Sequence, residues 1–410
     1  MSAVASTEVI RAHFPSLART HGALPVAYLD GPGGTQVPLA VADAMRDYLL
    51  DHNANTHWVY PTSVETDALL SAARAALADF VGGAPDEIAF GQNMTSLLFH
   101  LSRAIGRTLG PGDEIIITEL DHHANVAPWQ ALARERGCVL RTVPLDLATG
   151  TSDLSRLPAL LGPRTRVVAV GAASNALGTI TDVAAVARLA REAGALCVVD
   201  AVHYAPHVLA DVAAIGCDFL LCSAYKFYGP HVGVLWGRRD RLAALDLPKL
   251  EPAPDAVPER FETGTQNHEG IVGAAAAVDW LASLATSDAS MPRRARLGAT
   301  LHTLHARGES LLGTLWDGLG ELNGVRRYGP PPGAARTATM SFSVDGLPSE
   351  TVARALAAEG VWVSNGDFYA TTVAARYGRS ADGFVRVGCV AYTTEEEIAR
   401  VVRGVHTLTP

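Results

Sequence analysis

Of the 33 lysines and arginines in this 410-residue chain, only two, Lys226 and Lys249, are lysines. A guanidinium stays protonated and cannot condense with an aldehyde, whereas an amine drawn out of water can, so a lysine kept in an apolar setting points to amine chemistry. Lys226 has that setting, after CDFLLCSAY and before FYGPHVG; Lys249 lies in a proline-rich stretch. Burial there favours the neutral nucleophile. Asp200 closes the apolar run ALCVVD. A carboxylate so placed could keep the ring nitrogen of a planar cofactor protonated and make the ring an electron sink, or could simply cap a helix or loop. His122 opens HHANVAPW, where an imidazole could stack on such a ring and move protons, or serve structure alone. The segment GQNMTS leads into TSLLFHLSRAIG. The backbone amides around Asn93, Met94 and Thr95, with the Thr95 hydroxyl, could therefore hold a phosphate at a helix N-terminus, and an ordinary cap would look the same.

These groups lie far apart in sequence, so a scaffold must gather them. Between about residues 85 and 240, short apolar runs alternate with amphipathic stretches, the pattern of an α/β fold with a mostly parallel central sheet. The expected strands are DEIIIT after Gly112, CVLRTVP from Cys138, TRVVAVGAAS from Thr165, ALCVVD, CDFLLCS ending at Ser223, and VGVLWG from Val232. In an open sheet of this kind ligands bind beyond the carboxyl ends of the strands, which is where Asp200, Lys226 and His122 fall. TDVAAVARLAREAG reads as a helix capped by Thr181 and ended by Gly194. Helices PLAVADAMRDYLLDH from Pro38 and VETDALLSAARAALADFVG from Val64 flank the irregular NANTHWVYPTS. After YGPPPGAART a smaller α/β unit is expected: strand TATMSFSV, helix SETVARALAAEG, a short VWV strand, an irregular segment to Arg379, strand FVRVGCVAY and a helix from Thr394. The expected division is a large unit over 23–289 and a smaller C-terminal unit over 290–410, with residues 1–22 packing on the latter.

The formal charge of -9 gives no general attraction to nucleic acid or to anionic membrane surfaces. No apolar run approaches the ~20 residues that span a bilayer and no leader-like segment opens the chain, so a cytoplasmic protein working on small molecules is expected. The five cysteines show neither disulfide nor metal-ligand spacing and read as buried thiols.

Taken in order, YLDGPGGTQVP, FGQNMTS, TELDHHANVAPWQ, AASNALGT, VVDAVHYAPH, CSAYKFYGPHVGVLWG and FETGTQN resemble the cysteine desulfurases of the class-V aminotransferase group over nearly the whole chain. The resemblance implies the fold type I of enzymes that use pyridoxal 5'-phosphate, and a homodimer whose active sites lie at the subunit interface. It further implies that Lys226 carries the cofactor as a Schiff base, Asp200 holds the pyridinium nitrogen, His122 stacks on the ring and Asn175 meets the ring hydroxyl. Thr95 and Ser223 look like phosphate ligands, with Asn93, Met94 and His203 also beside the cofactor, and Thr265 reaches the cofactor of the neighbouring subunit. Arg386 in FVRVG matches the arginine that grips the substrate carboxylate, a task suited to a bidentate guanidinium. Asn55 and His57, in NANTHWVYPTS, are expected at the substrate entrance.

The likeness breaks at one place. A desulfurase of this group needs a mobile loop cysteine that becomes a persulfide. Here VWVSNGDFYATTVAARYG carries Gly366, Asp367, Phe368 and Tyr369 instead, and Cys389 lies in an apparent strand. His203 also stands where glutamine is usual, and Tyr225 where histidine often precedes the lysine. The leading expectation is a lyase that removes the β-sulfur substituent of cysteine or an S-substituted cysteine without a protein persulfide. An aminotransferase or amino-acid epimerase is the alternative, and a non-catalytic scaffold in sulfur trafficking a third.

Overall fold

The computed structural model describes residues 4–285 and 290–409. Seven strands form the central sheet: β1 Ile88–Gly91, β2 Glu114–Thr118, β3 Val139–Val143, β4 Thr165–Gly171, β5 Leu196–Asp200, β6 Phe219–Ser223 and β7 Gly233–Gly237. Their spatial order is 1-7-6-5-4-2-3, and only β7 runs against the rest. The α/β architecture and mostly parallel sheet are thus as the apolar runs indicate. Strands buried on both faces read as unbroken apolar runs, because helices cover the two sides. Alternation along β4 shows both layers: Val168 and Val170 join Phe80 and Leu281, whereas Val167 and Ala169 join Leu98 and Trp129.

Several local readings are corrected. The helix Val183–Glu192 is capped by Asp182, whose Oδ1 accepts the Ala185 N–H at 3.0 Å, rather than by Thr181. The helix expected from Val64 is Pro61–Val81, begun by a proline whose missing N–H costs nothing in the first turn. Strand β1 was hidden because IAFG is only four residues long and abuts the GQNMTS motif.

A second sheet comprises β8 Val325–Tyr328, β9 Thr339–Val344, β10 Ser364–Gly366 and β11 Phe384–Gly388, all antiparallel in the order 8-9-11-10. The segment expected to be irregular up to Arg379 holds β10 and the helix Thr371–Arg376. Helix Arg293–Gly320 serves both units, since Leu297 and Leu301 join the first core while Leu312 and Leu315 pack with Met340 and Phe342. The short strand Val361–Trp362 pairs in parallel with Ala27–Tyr28, so the start of the chain is stitched to the second unit. Near it, Arg11 Nη1 meets Glu397 Oε1 at 3.0 Å. The expected division between 289 and 290 abuts residues 286–289, which lie outside the described residues. Among the described residues, no helix is long and apolar enough to cross a membrane.

Candidate active site

The carboxyl edge of the sheet delivers most of the chemistry. Asp200 ends β5 and is buried, with Oδ1 accepting the Val202 N–H at 2.9 Å. Burial pushes its carboxyl up to about 6, against the opposing pull of that hydrogen bond and of Lys226. Ser223 ends β6, and its Oγ accepts the Met94 N–H at 3.0 Å. Lys226 follows in the turn Ala224–Lys226, and its Nζ donates to the Pro32 carbonyl and, at 2.9 Å, to the Gly33 carbonyl. Burial, reinforced by the Arg386 charge, lowers its amine to about 8; Asp30 and Asp200 pull the other way. The sequence placed an amine there, and its surroundings make it a far weaker base than an exposed lysine.

His122 lies beyond β2, and its Nδ1 accepts the Ala124 N–H at 3.0 Å, which leaves the ring proton on Nε2. Burial, then the charges of Lys226 and Arg386, bring it down to about 4, so the ring is neutral at ordinary pH. Asn93 caps the helix Met94–Gly106 through Oδ1, which accepts the Ser96 N–H at 2.9 Å. The antiparallel β7 passes so close that a Cβ on Gly233 would fall 2.4 Å from the Asn93 carbonyl carbon. Glycine at that point lets the helix N-terminus sit at the sheet edge.

The second unit supplies the remaining groups. Arg386, on β11, is buried; Nη2 pairs with Asp30 Oδ1 at 2.9 Å, Nε donates to Ser364 Oγ at 3.2 Å and Nη1 to the Asn175 carbonyl at 3.1 Å. Its guanidinium lies 4.1 Å from the Phe368 ring centre. Asn175 donates from Nδ2 to the Phe368 carbonyl at 2.9 Å, while its Oδ1 is buried without a partner among the described residues. His203 is buried with Nε2 and Thr337 Oγ1 3.0 Å apart.

The stretch Gly366–Tyr369, where a cysteine loop would stand, is a tight turn docked on the first unit. Phe368 and Tyr369 both take left-handed backbone conformations, with φ of 56° and 57°. The Tyr369 carbonyl accepts the His123 N–H at 2.7 Å, its own N–H goes to Asp367 Oδ1 at 3.0 Å, and its ring lies 5.5 Å from that of His122. Aromatic residues avoid positive φ, so although Asn365 and Gly366 signal a turn, nothing in the composition announces left-handed backbone at Phe368 and Tyr369.

Ten of the expected residues, namely Lys226, Asp200, His122, Asn93, Met94, Thr95, Asn175, His203, Ser223 and Arg386, line one cavity of about 990 Å³. Thr265, Asn55 and His57 are not among its walls. All three are exposed, and His57 is held by Asp67, whose Oδ2 accepts its N–H at 3.0 Å. The sequence did not single out Asp30 as the partner of Arg386, nor Asp121. Burial raises the Asp121 carboxyl to about 7 although it accepts bonds from Gly171, Thr118 and Asn125. Both sit in quoted blocks, YLDGPGG and TELDHHAN, but their partners are set by tertiary contact.

This donor set fits a planar aldehyde cofactor bearing a phosphate. Asp200 offers a buried oxygen beyond the one bonded to Val202, Asn175 offers an unused Oδ1, and among the described residues no protein group accepts from the N–H or hydroxyl of Thr95 at the helix N-terminus. The sequence profile of the class-V aminotransferases matches residues 27–401. A cysteine desulfurase of Dickeya dadantii is 32% identical over 97% of this chain and 96% of its own length. A probable cysteine desulfurase of Pseudomonas aeruginosa is 34% identical over 95% of each chain. The structure superposes on the apo form of a cysteine desulfurase from Thermococcus onnurineus with a TM-score of 0.90 and 29% identity, covering 100% of this chain and 99% of that one. The chain belongs to the class-V aminotransferase family. Within that family it is cysteine desulfurase-like, a pyridoxal 5'-phosphate-dependent enzyme of fold type I.

Proposed function

We propose that this enzyme eliminates the β-sulfur substituent of cysteine or an S-substituted cysteine and releases it as sulfide or thiol, with no persulfide on the protein. The observation that carries the reading is a cavity that brings together an amine, a buried carboxylate, an imidazole and a guanidinium but, among the described residues, has no cysteine in its walls. Cys389, the cysteine nearest the turn in sequence, is buried, and that burial pushes its thiol up to about 12, which starves it of the thiolate that attacks sulfur. The turn Gly366–Tyr369 is also pinned by its hydrogen bonds, unlike a loop that carries a nucleophile in and out.

Bound pyridoxal phosphate supplies an aldehyde for amines and a ring that withdraws electrons from the α-carbon of an amino acid. In this reading Lys226 is the amine that would hold the aldehyde, and its freed amine would take the α-proton of the substrate. Its lowered basicity keeps much of the amine neutral near pH ~7.5. With the cofactor bound, Asp200 would retain a proton on the ring nitrogen, His122 would stack on the ring, Asn175 Oδ1 would accept from the ring hydroxyl, and His203 would border the ring. Thr95, Ser223 and the helix N-terminus at Asn93 and Met94 would hold the phosphate. Arg386 binds the substrate carboxylate on a guanidinium already oriented by Asp30 and Ser364. A second copy of the chain completes the site, bringing Thr265 to the phosphate and Asn55 and His57 to the entrance. Leu49, Leu50, Trp58, Val59 and Tyr60, which flank Asn55 and His57 in sequence, are exposed apolar residues that such a copy would cover.

The test is turnover of cysteine and of S-substituted cysteines by the purified, cofactor-loaded enzyme without any sulfur acceptor. Pyruvate and free thiol should appear in equal amounts, and the intact mass of the chain should show no added sulfur. A persulfidated chain overturns the reading. A requirement for a keto acid, or loss of α-stereochemistry without thiol release, replaces it with transamination or epimerisation.

A further inference from the structure

Elimination leaves a charged sulfur that departs faster if it is protonated as the bond breaks, and the turn Gly366–Tyr369 sets an uncommitted phenol on the cavity wall. In the turn Gly366–Tyr369, Asp367 Oδ1 is spent on the Tyr369 N–H, the Phe368 carbonyl on Asn175, and the Tyr369 carbonyl on the His123 N–H. The Tyr369 hydroxyl has no hydrogen-bond partner among the described residues. Tyr369 is 70% exposed, so burial of its own side chain does not explain why it is held at positive φ. Backbone strain of this kind persists where the fold fixes a side chain for use. The ring is set against His122 at an interplanar angle of 32°, and both line the same cavity as Lys226 and Arg386.

Building on the elimination reading, we propose that the Tyr369 phenol is the acid that protonates the sulfur leaving group. The α-proton passes to the Lys226 amine, the Cβ–S bond breaks with its electron pair on sulfur, and the Tyr369 O–H bond breaks to form the S–H bond. Lys226 returns its proton to the β-carbon, and the phenolate recovers a proton from solvent, to which the ring is open. With one water, RS–CH2–CH(NH3+)–COO− then yields RSH, pyruvate and NH4+. A phenol is an efficient donor to an alkyl thiolate because their proton affinities are close, and an aryl thiolate that leaves readily needs no such help.

The experiment compares Tyr369→Phe with the unaltered, cofactor-loaded enzyme on S-ethyl-cysteine, a poor leaving group, and S-(4-nitrophenyl)-cysteine, a good one. The variant should lose ~100-fold or more in kcat on the first and stay within about threefold on the second. Its dissociation constant for pyridoxal phosphate and the cofactor-induced rise in Tm should be unchanged, and Tyr369→His, which restores an acid, should recover part of the loss. Equal losses on both substrates would show that the tyrosine only shapes the turn. No loss on either would show that Lys226 or water protonates sulfur, and both results overturn the proposal. If the unaltered enzyme frees no thiol from either substrate, the elimination reading falls first and takes this step with it.

Discussion

Replacing Arg386 with glutamine should make Lys226 a stronger base and slow its capture of the cofactor aldehyde. The amine titrates at about 8, and after burial the Arg386 charge is the next cause of that depression. At pH ~7.5 an amine of pKa about 8 is roughly one-quarter neutral, whereas one at the ordinary 10.5 is neutral about one time in a thousand. Removing the guanidinium also leaves Asp30 unpaired beside the amine, which acts in the same direction. Burial persists in the variant, so the midpoint should rise but stop short of 10.5, with capture at neutral pH slowing ~10-fold for each unit of rise. The assay is the rate at which apo-protein takes up pyridoxal phosphate, followed by visible absorbance from pH ~6 to ~10. In the unaltered chain the rate should climb with pH and level off above about 8; in the variant the plateau should move to higher pH. A plateau that stays put or moves lower would refute this account of the amine, and so would an unaltered chain whose rate is still climbing near pH ~10.

Lys226→Ala should abolish visible absorbance that survives dialysis against buffer while leaving the elution volume on size exclusion unchanged; retained colour would reject the amine assignment. Asp200→Asn should stabilise the apo-protein above pH ~6. The folded carboxyl titrates at about 6 against 3.8 for a free one, so burying its charge penalises the fold above pH 6 by up to about 3 kcal/mol, and the penalty fades as pH falls toward 4. Denaturant midpoints of the two proteins should therefore converge in acid, and a variant less stable than its parent at pH ~8 would contradict the argument. Gly233→Ala should cost about 1–3 kcal/mol and weaken pyridoxal phosphate binding, because its methyl meets the Asn93 backbone rather than a yielding side chain. Unchanged stability and affinity would show that the helix N-terminus has room to shift.

Most of the scaffold is legible in the chain because doubly covered parallel strands must be apolar throughout and must stop where the chain turns to solvent. The runs ending at Asp200 and Ser223 therefore mark the working edge of the sheet. Lys226 stands out for a different reason, since arginine has replaced lysine almost everywhere else. What sequence does not reveal is set by contact across the two units. Asp30 and Arg386 are separated by 356 positions yet share an ion pair, and the turn that carries Tyr369 adopts a backbone its residue types disfavour. Helix starts are legible only approximately: the helix expected from Val64 begins at Pro61, and where Thr181 and Asp182 are both competent caps geometry selects the second.

The scarcity of lysine gives the molecule an unusual chemical address. Lys249 is engaged by Asp255 at 3.0 Å and by the Ala253 carbonyl at 2.8 Å, leaving Lys226 as the side-chain amine that is both weakly basic and open to a cavity. A fluorescent aromatic aldehyde followed by mild reduction should thus tag the chain at a single interior position, turning the enzyme into its own reporter for whatever enters beside that dye.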